Sequence, residues 1–375
     1  MSTSHRPTLL LSALVLITFG SIFFGSPALA QQAGVYVTRS GYRVPVYGVS
    51  AALDAEGRVG TACNRLTAPQ VDALRITRSI SRSLIASYPR TIVRAAAGAT
   101  FEIVYTDPEG TGFSDPAQGS IRKRAMEATV AAWSAVIQGT VPIVVQARME
   151  APKDPESSTL ASAAPVDFYS VNGRLLPSAL TFQLQGSRSA DSAVDIEVVI
   201  NPTVDWDYTA NGQAAPGRYS FVYTMMHEVG HGLGFLSTLE IESGALLNEL
   251  PTPFDVFVNR GSSSSNPLTL RSSGQVKEDL VSNDLFFSGR KAAEASARSI
   301  RPLPMVKLFA PNPYEKGSST SHVDQDTYAN FKVGLMTPKD FSSGTDKVDI
   351  LTLGILEDLG YQLVPGAVTA GVPRR

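Results

Sequence analysis

Five residues, His227-Glu228-Val229-Gly230-His231, restrict what this chain can fold into more than any other stretch of it. On an α-helix, positions four apart share a face, so both imidazoles can reach one ion. Glu228 lies about 100° round from His227 on such a helix. That is close enough to a water on the ion to take its proton, without being placed as a ligand. The helix has independent support, because Val222, Met225, Val229, Leu233 and Leu236 recur at helical spacing on the other side. A metal site with an open position uses three protein ligands. The fold must therefore return a distant segment to this helical turn.

The N-terminus narrows the choice of that segment. Arg6 precedes an apolar run over residues 9–24, and Ala28-Leu29-Ala30 has the A-x-A form of a cleavage site. Residues 1–30 are expected to be a signal peptide, with Gln31 as the mature terminus; a retained anchor is the alternative, but the run is short for a span of about 20 residues. The mature chain is expected to be secreted or periplasmic, with no integral membrane segment. The formal net charge of −2 over the full 375 residues creates no basic field for nucleic acid. With Cys63 the only cysteine, no internal disulfide can form, so stability has to come from the core and a metal.

After signal cleavage, three of the four histidines remain, and two lie in the helical motif. The third, His322, follows Gly317-Ser318-Ser319-Thr320-Ser321. A lone histidine is more often a surface or core residue, but the unfilled ligand position makes His322 the expected third ligand. A carboxylate from Glu240, Glu242 or Asp255 is the alternative. None of the three is at helical spacing to a second motif, and Gly234 is expected to end the helix first.

Elsewhere the pattern is mixed. Residues 31–98 form an N-terminal segment with strand-like stretches at 35–37 and 44–49 and a capped helix over 67–84. Phe101 to Tyr105 alternates as a strand, and Asp115-Pro116 opens a helix that Gly139 stops. Strands are expected at 141–147 and 196–200, and loops around Pro251, Pro253 and the serines from Ser262 to Ser265. Val348, Leu351, Ile355 and Leu359 share one face of a closing helix, with Gly360 at its stop.

These residues resemble the leishmanolysin-like metzincin zinc metalloproteases. Gly234 in HEVGHGLGF matches the glycine of the wider HExxHxxGxxH pattern, but Ser237 stands at that pattern's third-ligand position. This family inserts a long segment before its third histidine, as here before His322. Leu335-Met336-Thr337-Pro338 is similar to its Leu-Met-x-Pro turn, and residues 351–360 to its closing helix. The four elements cover residues 221–361, with weaker similarity back to 101.

The resemblance implies an α+β, metzincin-like catalytic domain: a twisted sheet with two long helices over 99–236, an irregular C-terminal subdomain over 237–363 that ends in a helix, and a flexible tail over 364–375. It implies zinc (Zn2+) on His227, His231 and His322, with Met336 in a Met-turn under the metal. Glu228 is then the general base of an endopeptidase that activates water on the zinc, acts on protein or peptide substrates and works as a monomer. The family's many cysteines are missing here, so its disulfide-held architecture does not carry over. Relatives made as precursors place a pro-segment thiolate on the open zinc position, which makes Cys63 a possible latency thiol within a possible pro-segment over 31–98. The plainer reading, a small buried hydrophobe, is preferred. Outside the protease reading stands a catalytically silent adhesion or binding protein, opposed by the intact histidines and Glu228.

Overall fold

β-branched residues dominate Ile196–Ile200, the central strand of the large sheet, which is buried at every position. The computed structural model describes residues 35–38, 41–53, 59–66, 85–152, 159–190, 192–262, 266–299, 301–316, 318–328, 334–339 and 344–367. The expected signal peptide, the helix over 67–84 and the tail from residue 368 lie outside the described residues. Strands are β1 (Val35–Val37), β2 (Arg43–Pro45), β3 (Tyr47–Leu53), β4 (Val59–Arg65), β5 (Arg90–Val93), β6 (Phe101–Tyr105), β7 (Ile143–Met149), β8 (Thr159–Pro165), β9 (Ile196–Ile200), β10 (Val258–Arg260), β11 (Leu285–Phe287) and β12 (Val306–Leu308). The longer helices are α1 (Gly119–Ser134), α2 (Ser178–Gln185), α3 (Phe221–Gly232), α4 (Arg290–Ala297) and α5 (Ile350–Leu359). The fold is mixed α+β.

A twisted seven-stranded sheet has the order β4-β3-β8-β9-β7-β6-β5. β9 and β6 run parallel to β7, whereas β8, β3, β4 and β5 join antiparallel. β7 and β9 are buried at every position. Parallel strands covered on both faces read as continuous apolar runs for this reason. The stretch expected as one strand at 44–49 is divided at Val46: β2 pairs with β1, and β3 turns to pair with β8 and β4.

The Asp115 carboxylate accepts from the backbone N–H groups of Ala117 and Gln118, so the helix expected at Asp115 starts at Gly119. α1 then packs on α3, and the Trp133 indole N–H donates to the Met226 carbonyl at 3.2 Å. Every residue of α3 is buried. The apolar stripe on one side meets the core, and the face bearing the histidines is also covered.

Beyond α3, β10, β11 and β12 form an antiparallel sheet beside α4 and α5. Asp349 caps α5 by accepting from Leu351 N and Thr352 N. Gly360, with φ of 121°, ends that helix as its position predicts. The Tyr361 hydroxyl then donates to the Leu233 carbonyl at 2.9 Å and ties the chain's end to the end of α3. The main apolar core runs from Val44 to Ala367, and Ile85, Val104, Val144 and Val194 form a second, smaller cluster. Among the described residues no helix is long and apolar enough to cross a membrane.

Trp133 joins the two long helices through its buried ring and its N–H. Trp133→Ala is expected to lower stability by about 3–5 kcal/mol, measured by urea unfolding. A loss below about 1 kcal/mol would show that the helices do not depend on this contact.

Candidate metal centre

Ser220 caps the start of α3, its hydroxyl accepting from Tyr223 N. Seven and eleven residues on, His227 and His231 stand one turn apart. The helix stops at Gly232, and Gly234 takes φ of 107°, a left-handed region that strains any side chain. This reversal lets Phe235 N donate to the Gly230 carbonyl and brings the Phe235 carbonyl back to His231. A Cβ on Gly230 would lie 2.7 Å from Met336 Sδ, so a glycine admits the buried Met336 against α3.

The three imidazoles are held in the same way from three directions. His227 Nδ1 lies 2.7 Å from the Leu335 carbonyl, His231 Nδ1 2.7 Å from that of Phe235, and His322 Nδ1 2.8 Å from that of Ser318. A carbonyl can only accept, so each ring carries its proton on Nδ1 and presents a lone pair at Nε2. The Nε2 atoms converge. They are 3.0 Å apart for His227 and His231, 3.2 Å for His231 and His322, and 3.3 Å for His322 and His227. Cys63 Sγ, from β4, lies 3.5 Å from His231 Nε2. The four donors lie within 4.8 Å of one another, a buried group that could hold a metal ion. Burial pushes all three imidazoles down, His231 to about 4, and the neighbouring rings add to this for His227 and His322. They are neutral at pH 7, as ligation requires. Burial, then the charge of Glu228, pushes the Cys63 thiol up. A bound cation reverses that tendency.

Glu228 is fully buried, and burial raises it to about 8 despite hydrogen bonds from the backbone of Ala163 and Val49. Its Oε1 accepts from Val49 N at 3.1 Å, and its Oε2 has no partner among the described residues.

The helical motif singled out His227, Glu228 and His231 and the scarcity of histidine singled out His322; the fold brings the four together, and Cys63 joins them. Cys63 is also fully buried, so the preferred reading of it as a small buried residue and the reading of it as a metal donor describe the same side chain. The alternative carboxylate ligands are engaged elsewhere or lie outside the group. Asp255 accepts from Ser237 Oγ, Thr238 N and Oγ1, and Thr252 N and Oγ1. Glu242 pairs with Lys316 at 2.8 Å, and Glu240 is not among the converging groups. Ser237, at the compact pattern's third-ligand position, instead donates its N–H to Ser321 Oγ at 2.9 Å and steadies the loop before His322.

Three supporting residues carry no local signal in the sequence. The Tyr47 ring stacks on His231, with centroids 4.6 Å apart and planes 17° apart. Its hydroxyl donates to the Ser237 carbonyl and lies 2.7 Å from Ser321 Oγ. Asp255 braces the turn that leaves α3. Asp349 Oδ2 accepts from Leu335 N, so the cap of α5 also fixes the carbonyl that orients His227. That double role depends on the tertiary fold.

Asp349→Ala frees the Leu335 segment and uncaps α5. Metal affinity is expected to fall about 10- to 100-fold, as when an outer partner of a ligating histidine is lost, measured by competition with a chromophoric chelator. Unchanged affinity would remove Asp349 from the support of His227.

In comparisons with known proteins, no family model, no curated protein and no solved structure matches this chain.

Proposed function

We propose that this chain is an exported zinc-dependent endopeptidase of leishmanolysin-like type, with His227, His231 and His322 as ligands and Glu228 as general base. The observation that carries the proposal is the convergence of three Nε2 lone pairs beside a buried carboxylate. Zinc bonds of about 2.0–2.1 Å to nitrogen and 2.3 Å to sulfur, at tetrahedral angles, set nitrogens about 3.3 Å apart and sulfur about 3.6 Å from nitrogen. The nitrogen separations of 3.0–3.3 Å fit that ion, as does the 3.5 Å from Cys63 Sγ to His231 Nε2.

When bound, zinc supplies Lewis acidity toward the scissile carbonyl and lowers the pKa of a water to about 7. The chain's own groups do the rest. The backbone carbonyls of Leu335, Phe235 and Ser318 keep the imidazoles in the ligating tautomer. With a bound cation drawing its raised pKa down, Glu228 would take the proton at Oε2, since Oε1 is engaged by Val49 N–H, and return it to the leaving amine. β8 offers backbone groups that can pair with an extended peptide, the part β3 plays in this structure.

The fourth donor supports a second reading. With Cys63 included, the group is a Cys-His₃ set, and closed four-coordinate zinc sites are structural. In a precursor the same thiolate is a latency ligand that leaves on maturation; in a silent binding protein it stays.

Glu228→Gln separates these readings. Casein hydrolysis after limited trypsin treatment is expected to fall at least about 10²-fold with zinc content unchanged. The parent should hydrolyse casein after the same treatment and stop on addition of 1,10-phenanthroline. A parent that keeps zinc but never cleaves peptide would favour the silent reading. Full activity in the variant would remove Glu228 from the chemistry.

A further inference from the structure

We infer that Thr224 is a positioning residue for Glu228, its hydroxyl joined to Glu228 Oε2 through one bound water that holds the carboxylate in place. The inference rests on reading Glu228 as the base of a peptidase, and it names the group that aims that base.

Thr224 stands one turn before Glu228 on α3, and the face they share also carries His227 and His231. Helical side chains lean toward the N-terminus of their helix, so the Glu228 chain extends over the turn that bears Thr224. Side chains four apart have Cβ atoms about 5–6 Å from each other. One water can bridge a hydroxyl and a carboxylate across that spacing.

Both groups are fully enclosed, Thr224 as completely as Glu228. Thr224 Oγ1 and Glu228 Oε2 each lack a partner among the described residues. A buried threonine in a helix can satisfy its hydroxyl by donating to the carbonyl four residues back. Thr129 does so in α1, to Ala125 at 3.0 Å, and Thr181 in α2, to Pro177 at 3.1 Å. Thr224 makes no such bond to the Ser220 carbonyl. Its hydroxyl is left for another group.

Two polar atoms enclosed on one helix face without protein partners cost free energy that a shared water removes. Together they give that water two polar partners, the least a buried water needs. A hydroxyl donates and accepts, whereas a carboxylate only accepts, so the water donates to Oε2 and bonds Thr224 with what remains. A carboxylate oxygen has two lone pairs, and the second stays open for the proton that Glu228 takes. Val49 N–H already holds Oε1 at 3.1 Å. Anchored at both oxygens, the carboxylate cannot rotate away from the converging imidazoles.

The test compares Thr224→Val, which keeps the branched shape without the hydroxyl, with Thr224→Ser, which keeps the hydroxyl. In the full-length zinc-loaded protein, the infrared carboxylate band of Glu228 is assigned by its loss in Glu228→Gln. That band is expected to shift in Thr224→Val and to stay at the parent position in Thr224→Ser, with zinc content equal to the parent's in both. After limited trypsin treatment, kcat for a quenched peptide should fall about 10- to 100-fold in Thr224→Val with KM unchanged. Thr224→Ser should regain most of the rate. Should Thr224→Val lose its cooperative unfolding, Thr224→Ala takes its place in the same comparison. If the hydroxyl is only an unpaired buried group, its removal raises the thermal midpoint and leaves band and kcat at the parent values; that result overturns the inference. A shifted band in a protein whose parent hydrolyses nothing keeps the link between Thr224 and Glu228 and refutes the peptidase reading instead.

Discussion

The site depends on three hydrogen bonds from imidazole N–H groups to backbone carbonyls. An imidazole has two nitrogens, and a metal donor is obtained only when the proton is kept on the other one. Each carbonyl comes from a different part of the chain: the reversal at Gly234, the turn before Met336 and the serine-rich loop at Ser318. Each of these segments is in turn fixed by a buried polar group. Asp349 holds Leu335, Asp255 holds Ser237 and Thr238, and Ser321 binds both Ser237 and Tyr47. The layers around the donors are hydrogen-bonded because burial without partners is costly.

Burial explains why the two long helices lie where they do. α3 carries apolar residues on one side and ligands on the other, and both sides are enclosed. Three neutral imidazoles, a thiol and a carboxylate share one buried cluster, and Glu228 Oε2 has no partner among the described residues. A cation is the natural partner for such a set, and the separations between the donors suit one.

Much of the site was legible because its main signals are local or exhaustive. Two histidines and a glutamate at helical spacing need no tertiary information, and His322 followed from the scarcity of histidine. The strands at 101–105 and 196–200 and the closing helix were readable from β-branched runs and from an apolar face ended by Gly360. What escaped depends on pairing between distant segments. Nothing near Tyr47 states that its ring will stack on His231, and nothing near Val49 that its N–H will meet Glu228. Residues 44–49 look like one strand because apolar periodicity does not mark the break at Val46, where the pairing partner changes from β1 to β8 and β4. Cys63 lay between: its chemistry was visible as one option, while its placement beside His231 required the register of β4 on β3.

The order of the strands has a consequence for assembly. β3 and β4 precede every other strand of the large sheet in the chain, yet they occupy its far edge, and β3 pairs with residues more than about a hundred positions later. Seating the hairpin therefore closes a long loop, and placing Cys63 closes longer ones still, to Ser318 and Pro338. The strand pairs that finish the sheet's far edge are the ones that cost the most chain entropy.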